Sequence, residues 1–302
     1  MQTLLSILTA DIVPIFLIAG AGWLLAKVIH TSAKALTEAV FHVLLPCFVF
    51  HMLVSASLDS GMVGRMILVA TLVMGITGVV GFIVGRSLRL SRPELSGFLL
   101  VVMFSNGGNY GLPVVSFAFG PAAMPYATVY FLTGSLLTWT VGGFLAAAGN
   151  RSLKQALLSV LKMPNLYAIA TALIVVATGT VVPAPITRAV GMLSDAALPL
   201  MIVILGIQLH TAIRPARPSI VVIAVLLSII GTPIIAFGLT SLFGLTGPAR
   251  QAAVVLASMP VAVTTSILAI KFDADPDFAM SAIFVSTILS PFTLTPIIAY
   301  LQ

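Results

Sequence analysis

Phe104–Val114 reads FSNGGNYGLPV and interrupts one of the most apolar regions of the chain, between SGFLLVVM (Ser96–Met103) and VSFAFG (Val115–Gly120). The flanks have the composition of a membrane helix, but the insert holds residues that end one. In a helix interior Gly costs about 1 kcal/mol and Pro about 3 kcal/mol relative to Ala. Pro113 also lacks an N–H, and its ring meets the carbonyl of Asn109. Irregular backbone at membrane depth persists only where protein or a watery cavity satisfies the freed polar groups. The stretch therefore predicts a broken helix beside a polar site.

Working outward, a second stretch has the same character. LASMPVAVTTSILAIKF (Leu256–Phe272) carries Pro260, which opposes the carbonyl of Leu256. Thr264, Thr265 and Ser266 follow it, each a competent N-cap residue.

The rest of the chain sets the class. Over 302 residues it is 60% hydrophobic and 7% charged, with mean hydropathy +1.18, too few charges to cover a water-soluble surface. The fold class is all-α integral membrane. A single cysteine, Cys47, excludes an intrachain disulfide. No cleavable signal peptide is expected, because IFLIAGAGWLLA (Ile15–Ala26) runs on as helix.

A crossing needs roughly 20 apolar residues. Cutting at charges and at Gly/Pro clusters gives ten predicted transmembrane helices, near 10–28, 36–56, 63–85, 94–118, 123–148, 162–181, 190–211, 218–243, 249–271 and 277–300. Alternate loops then hold Lys27 and Lys34; Arg86, Arg89 and Arg92; Arg151, Lys154 and Lys162; Arg214 and Arg217; and Lys271. The other side receives only Arg65, Arg188 and Arg250, so the basic loops are cytoplasmic and both termini are expected outside the cytoplasm. The net charge of +6 thus reports orientation, and nucleic acid is no partner. The expected location is a bacterial inner (plasma) membrane.

The order of features repeats. VLLPCFVFHMLVSASL (Val43–Leu58) resembles AALPLMIVILGIQLHTAI (Ala196–Ile213), Pro46 answering Pro199. SRPELSGFLLVVMFSNGG (Ser91–Gly108) lines up with TGPARQAAVVLASMPVAV (Thr246–Val263), Pro93 answering Pro248. An odd number of helices per copy inverts the second. We therefore expect two inverted five-helix repeats, 1–148 and 155–302, with helices 4 and 9 broken and crossing. Helices 1, 2, 6 and 7 would form a scaffold, and helices 3–5 and 8–10 a transport domain.

Two crossed breaks bring helix N-termini, with their free N–H groups, to the midplane, where they suit an anion. Carbonyls around Phe104–Asn106 and Ala257–Met259 would suit a cation or water. The candidate substrate-binding set is Asn106, Gly107, Asn109, Tyr110, Pro113, Pro260, Thr264 and Thr265. Asp195 and Ser135 are candidates for coupling. Asp195 reads equally as an intramembrane acid or as a helix-end residue at the interface. Asp11 reads as interfacial, and Asp273, Asp275 and Asp277 as a solvated turn lacking the Gly and distal Glu of a calcium loop. His42 and His51 fall on opposite helix faces, so they form no joint metal site and read as packed or interfacial. No cofactor or metal is expected; Na+ or H+ coupling stays open, as does a homodimer.

SNGGNYGLP (Ser105–Pro113), the Pro-broken Leu256–Phe272 stretch, AIFVSTILSPFTLTPI (Ala282–Ile297) and LSDAALPLMIVILGIQL (Leu193–Leu209) resemble the auxin efflux carrier family. The similarity runs over nearly the whole chain. It implies a secondary carrier of organic anions, in a group that includes plant PIN-type exporters and bacterial permeases assigned to malonate or malate. It also implies a fold like that of bile-acid/sodium symporters. Asn106, Asn109 and Pro113 match the first crossover motif and Pro260 the second. The chain lacks the long hydrophilic loop of the plant exporters, so the resemblance does not carry auxin or loop phosphorylation. The expected function is transport of small mono- or dicarboxylates, by symport or otherwise. A channel or uniporter would want a ring of polar pore residues, and an intramembrane protease a deep Asp pair or Ser–His pair. Neither pattern is evident, so the chain is not expected to be an enzyme.

Overall fold

A computed structural model describes residues 4–30, 33–56, 59–147, 161, 163–210 and 217–302. The basic residues Arg151, Lys154, Lys162 and Arg214, and the connection between the predicted repeats, lie outside the described residues.

The described chain is helical and contains no β-strand. Seven helices are long and apolar enough to cross a bilayer: α1 (Leu4–Ile29), α2 (Ala33–Ser55), α3 (Ser60–Ser87), α6 (Met124–Ala146), α8 (Ala184–His210), α9 (Pro218–Leu242) and α12 (Pro276–Leu301). A shorter apolar helix, α7, spans Pro164–Thr178. Four more are halves of two interrupted runs: α4 (Arg92–Met103) with α5 (Leu112–Phe119), and α10 (Gly247–Ala257) with α11 (Thr264–Phe272). Outward faces stay apolar: Leu17 is 69% exposed, Leu242 76% and Phe292 77%, so the surrounding solvent is lipid.

Proline shapes the helices without breaking most of them. Val13, Leu45, Leu112 and Thr232 each donate to the carbonyl five residues back, and each stands directly before a proline (Pro14, Pro46, Pro113, Pro233). Widening the preceding turn by one residue moves aside the carbonyl that the ring would strike. Pro113 is therefore not the break. It follows the widened turn Gly107–Gly111 inside a helix that runs on without interruption to Phe119.

Helix ends show ordinary chemistry where they meet water. Asp59 caps α3 by accepting from the Met62 N–H at 2.7 Å, and Ser91 with Glu94 forms a capping box on α4. Arg217 pairs with both Glu94 and Asp275, tying the start of α9 to α4 and to the α11–α12 turn. The turn read as solvated is thus anchored through Asp275. Asp11, read as interfacial, is covered by neighbouring side chains, and Gln302 Nε2, just past the end of α12, approaches its carboxylate at 3.4 Å.

Two sets of helices pack together. In one, α1 lies on α8, α8 on α2, and α2 on α7. In the other, α3, α4, α6, α9, α10 and α12 pack among themselves. The α1–α8 contact is a close backbone approach: a Cβ added to Gly206 would sit 1.7 Å from the Ala19 carbonyl oxygen, and one on Gly22 2.1 Å from that of Val203. Small residues are the usual means of helix association in lipid, where apolar burial gives no drive between helices.

Candidate functional site

α4 ends at Phe104 in extended conformation, and α10 ends at Ser258. The two freed segments pair antiparallel, Ser105 opposite Val261. Asn106 N–H donates to Pro260 O at 2.7 Å, and Ala262 N–H to Phe104 O at 2.9 Å. Each break thus satisfies groups freed by the other, which is how unwound chain persists at this depth. Pro260 belongs in such a strand because it needs only its carbonyl there, and it biases Met259 toward extended backbone. Asn106, with φ −76° and ψ 65°, is the centre of an inverse γ-turn closed by Gly107 N–H to Ser105 O at 2.8 Å.

α12 supports both breaks from behind. Ser286 Oγ accepts from the Val261 N–H at 3.1 Å, and Ser290 Oγ pairs with the Tyr110 hydroxyl at 3.0 Å. Ser105 Oγ donates to Leu256 O at 2.8 Å.

Past each break a helix starts with no side-chain cap. Neither Asn106 nor Val263 makes a capping hydrogen bond. The hydroxyls expected to cap α11 point backward, Thr265 Oγ1 to Ala262 O at 2.7 Å and Ser266 Oγ to Val263 O at 2.8 Å. The N–H groups of Gly108, Asn109, Val263 and Thr264 therefore have no backbone acceptor among the described residues. All four residues line one cavity of about 330 Å³. Uncapped helix N-termini facing a pocket have the polarity that suits negative charge.

The carbonyls at the first break are committed. Those of Phe104, Ser105 and Asn106 accept from Ala262, Gly107 and Gly111 respectively. The expected cage of free carbonyls is not present there.

Asn106, Gly107, Asn109, Thr264 and Ser135 all line this cavity. Asn106 is buried, and its Nδ2 has no hydrogen-bond partner. Asn109 Nδ2 reaches across to Gln208 Oε1 on α8 at 3.5 Å. Tyr110, Thr265 and Pro260 are buried behind the lining instead. Tyr110→Phe should accordingly cost about 1 kcal/mol of stability, the worth of one neutral hydrogen bond, with uptake retained. Thermal unfolding beside uptake checks this.

Pro113 and Asp195 face a different cavity of about 890 Å³, together with Ser116, Tyr126 and Ile202. Asp195 is exposed there. α8 begins at Ala184, so Asp195 stands eleven residues in, about 16 Å along the axis, and is no helix-end cap.

The sequence reading missed the far wall of the first cavity. Gln208 on α8, His42 and Glu38 on α2, and the rings of Phe131 and Trp139 on α6 complete it. Gln208 lies in the segment aligned with the second helix, so an uncharged polar residue deep in that run was its only signal. The hydroxyls of Ser286 and Ser290, four apart on one face of α12, were a stronger signal left unused.

An integral membrane protein with two interrupted, mutually paired helices around an internal pocket belongs to the class of membrane transport proteins. The chain is a member of the membrane transport protein family, the auxin efflux carriers, whose profile matches residues 7–156 and 149–298. It is 29% identical over 270 residues to an uncharacterized transporter of Methanothermobacter thermautotrophicus, covering 86% of each chain. An uncharacterized transporter of Methanocaldococcus jannaschii is 27% identical over 266 residues, covering 85% of this chain and 86% of that one. A Rhizobium meliloti protein provisionally named a malonate transporter is 23% identical over 305 residues, covering 95% of this chain and 94% of that one.

Proposed function

We propose that this protein is a secondary carrier of small organic anions, mono- or dicarboxylates, working by alternating access. The observation that carries the reading is the pair of uncapped helix N-termini opening on one cavity. Among the described residues, no Lys or Arg lines that cavity. The anion is held by amides, Asn106 and Asn109, a neutral cradle suited to moderate affinity and release. The apolar remainder of the substrate lies against Phe131 and Trp139.

Counting each interrupted pair as one crossing gives ten crossings in two inverted repeats. Helices α1, α2, α7 and α8 act as the scaffold. The body holding both breaks moves against them, and Pro113 and Asp195 line the approach from the other side. Lys27 and Lys34 flank the start of α2, whose Thr37 and Glu38 border the cavity, so we read this conformation as open to the cytoplasm. The carbonyls of Phe104, Ser105 and Asn106 are engaged, whereas those of Ala257, Ser258 and Met259 accept no backbone N–H among the described residues, so the second break keeps oxygen atoms for a coupling cation.

Reconstituted vesicles loaded with a panel of mono- and dicarboxylates test the proposal. Saturable uptake, competed by unlabelled substrate and responsive to an imposed pH or sodium gradient, is the expected result. Linear, unsaturable flux would mean a channel.

A further inference from the structure

We infer that His42, on the wall facing the broken helices, is a pH-dependent cationic partner for the bound anion. The inference rests on the reading of this cavity as an anion site and adds what regulates it.

His42 lies in the widened turn Val40–Leu44 of α2 and lines the cavity. Its Nδ1 donates to the Glu38 carbonyl one turn back at 3.0 Å, which fixes the neutral tautomer and leaves Nε2 for the pocket. Neutral imidazole offers an acceptor at Nε2, which repels a carboxylate oxygen. The protonated ring offers a charged donor.

Competing charge is sparse. α2 packs against α6, α7 and α8. Their titratable or charged groups are Tyr126 and Tyr130 on α6, Tyr167 on α7, and Arg188, Asp195 and His210 on α8. Of these only Tyr130 lines the cavity. His210 packs its ring on Trp23 of α1. On α2 itself, Lys34 and Glu38 precede His42, and Glu38 shares the cavity. Histidine is the side chain whose charge ordinarily changes between about pH 5 and 8.

Sidedness follows from placement. His42 stands on α2, outside the interrupted helices, so a moving body that carries the anion away leaves His42 behind. Acid on the cavity-mouth side holds the anion there, and acid on the opposite side does not act through this residue.

The test uses purified protein in lipid nanodiscs and monocarboxylates that stay ionised throughout: lactate, pyruvate and benzoate. Binding is measured at about pH 6 and about pH 8. The parent should bind about fivefold tighter at the lower pH, the order of a partly exposed ion pair. His42→Gln should lose that ratio, and His42→Lys should bind at the higher pH as the parent does at the lower. If no panel member binds the parent at either pH, the anion-site reading falls and takes this inference with it. If the parent binds equally at both, or His42→Gln keeps the ratio, only the role of His42 is overturned.

Discussion

With leucine at position 106, the protein is expected to fold at least as stably as its parent and to transport about ten- to a hundredfold more slowly. Asn106 is only 5% exposed, and its Nδ2 has no partner. An unsatisfied buried donor costs about 1–3 kcal/mol, so a leucine, with the same branching and no polar atom, should remove that cost. The backbone at this position keeps its work. Its N–H still reaches Pro260 O and its carbonyl still accepts from Gly111, whatever the side chain. Its φ of −76° lies where any L-residue can sit. What disappears is a donor toward the bound anion. A hydrogen bond to a charged group contributes about 1.5–3 kcal/mol, and each 1.4 kcal/mol is about tenfold. Thermal unfolding in nanodiscs and initial uptake rates measure the two halves of the prediction. A destabilised variant that transports normally would make Asn106 a structural residue, and the site would have to be sought elsewhere.

That stability and transport should part company at one residue bears on what the sequence could reveal. The two interruptions were legible because Asn, Gly and Pro are so costly inside lipid that they require a reason. Their cause was not. Pro113 looked like the breaker, yet the chain widens the turn ahead of it and breaks earlier, at Phe104–Asn106. A helix can meet a proline by widening the turn ahead of it or by breaking, and the proline alone does not decide between the two. The capping roles of Thr265 and Ser266 failed for a related reason. A hydroxyl near a helix start can cap forward or bond backward, and the tertiary pairing of Ala262 with Phe104 decides between them. Gln208 and His42 belong to helices distant in sequence from the breaks, and only the fold brings them to the same cavity.

Gly206→Leu should abolish folding of the protein, and Gly206→Ala should impair it severely. The Cβ of any residue here would lie 1.7 Å from the Ala19 carbonyl oxygen and 2.6 Å from its carbon. These are backbone atoms of α1, so no rotamer change on the neighbour relieves the clash; the two helices must separate. Overpacking a core costs about 1–3 kcal/mol where side chains can yield, and here they cannot. Separation also forfeits the close packing that holds helices together in lipid. Gly20 supplies the control on α1, since a Cβ there meets nothing within 4 Å and Gly20→Ala should be neutral. The damage should extend to the site, because Gln208 lies two residues beyond Gly206 and its 3.5 Å approach to Asn109 depends on where α8 sits. Expression as a fluorescent fusion, followed by size-exclusion profiles, distinguishes the outcomes: Gly20→Ala as a single sharp peak, Gly206→Ala much reduced, and Gly206→Leu aggregated. A monodisperse Gly206→Leu protein with parental unfolding temperature would show that α1 and α8 do not cross at this contact, and the far wall of the cavity would lose its support.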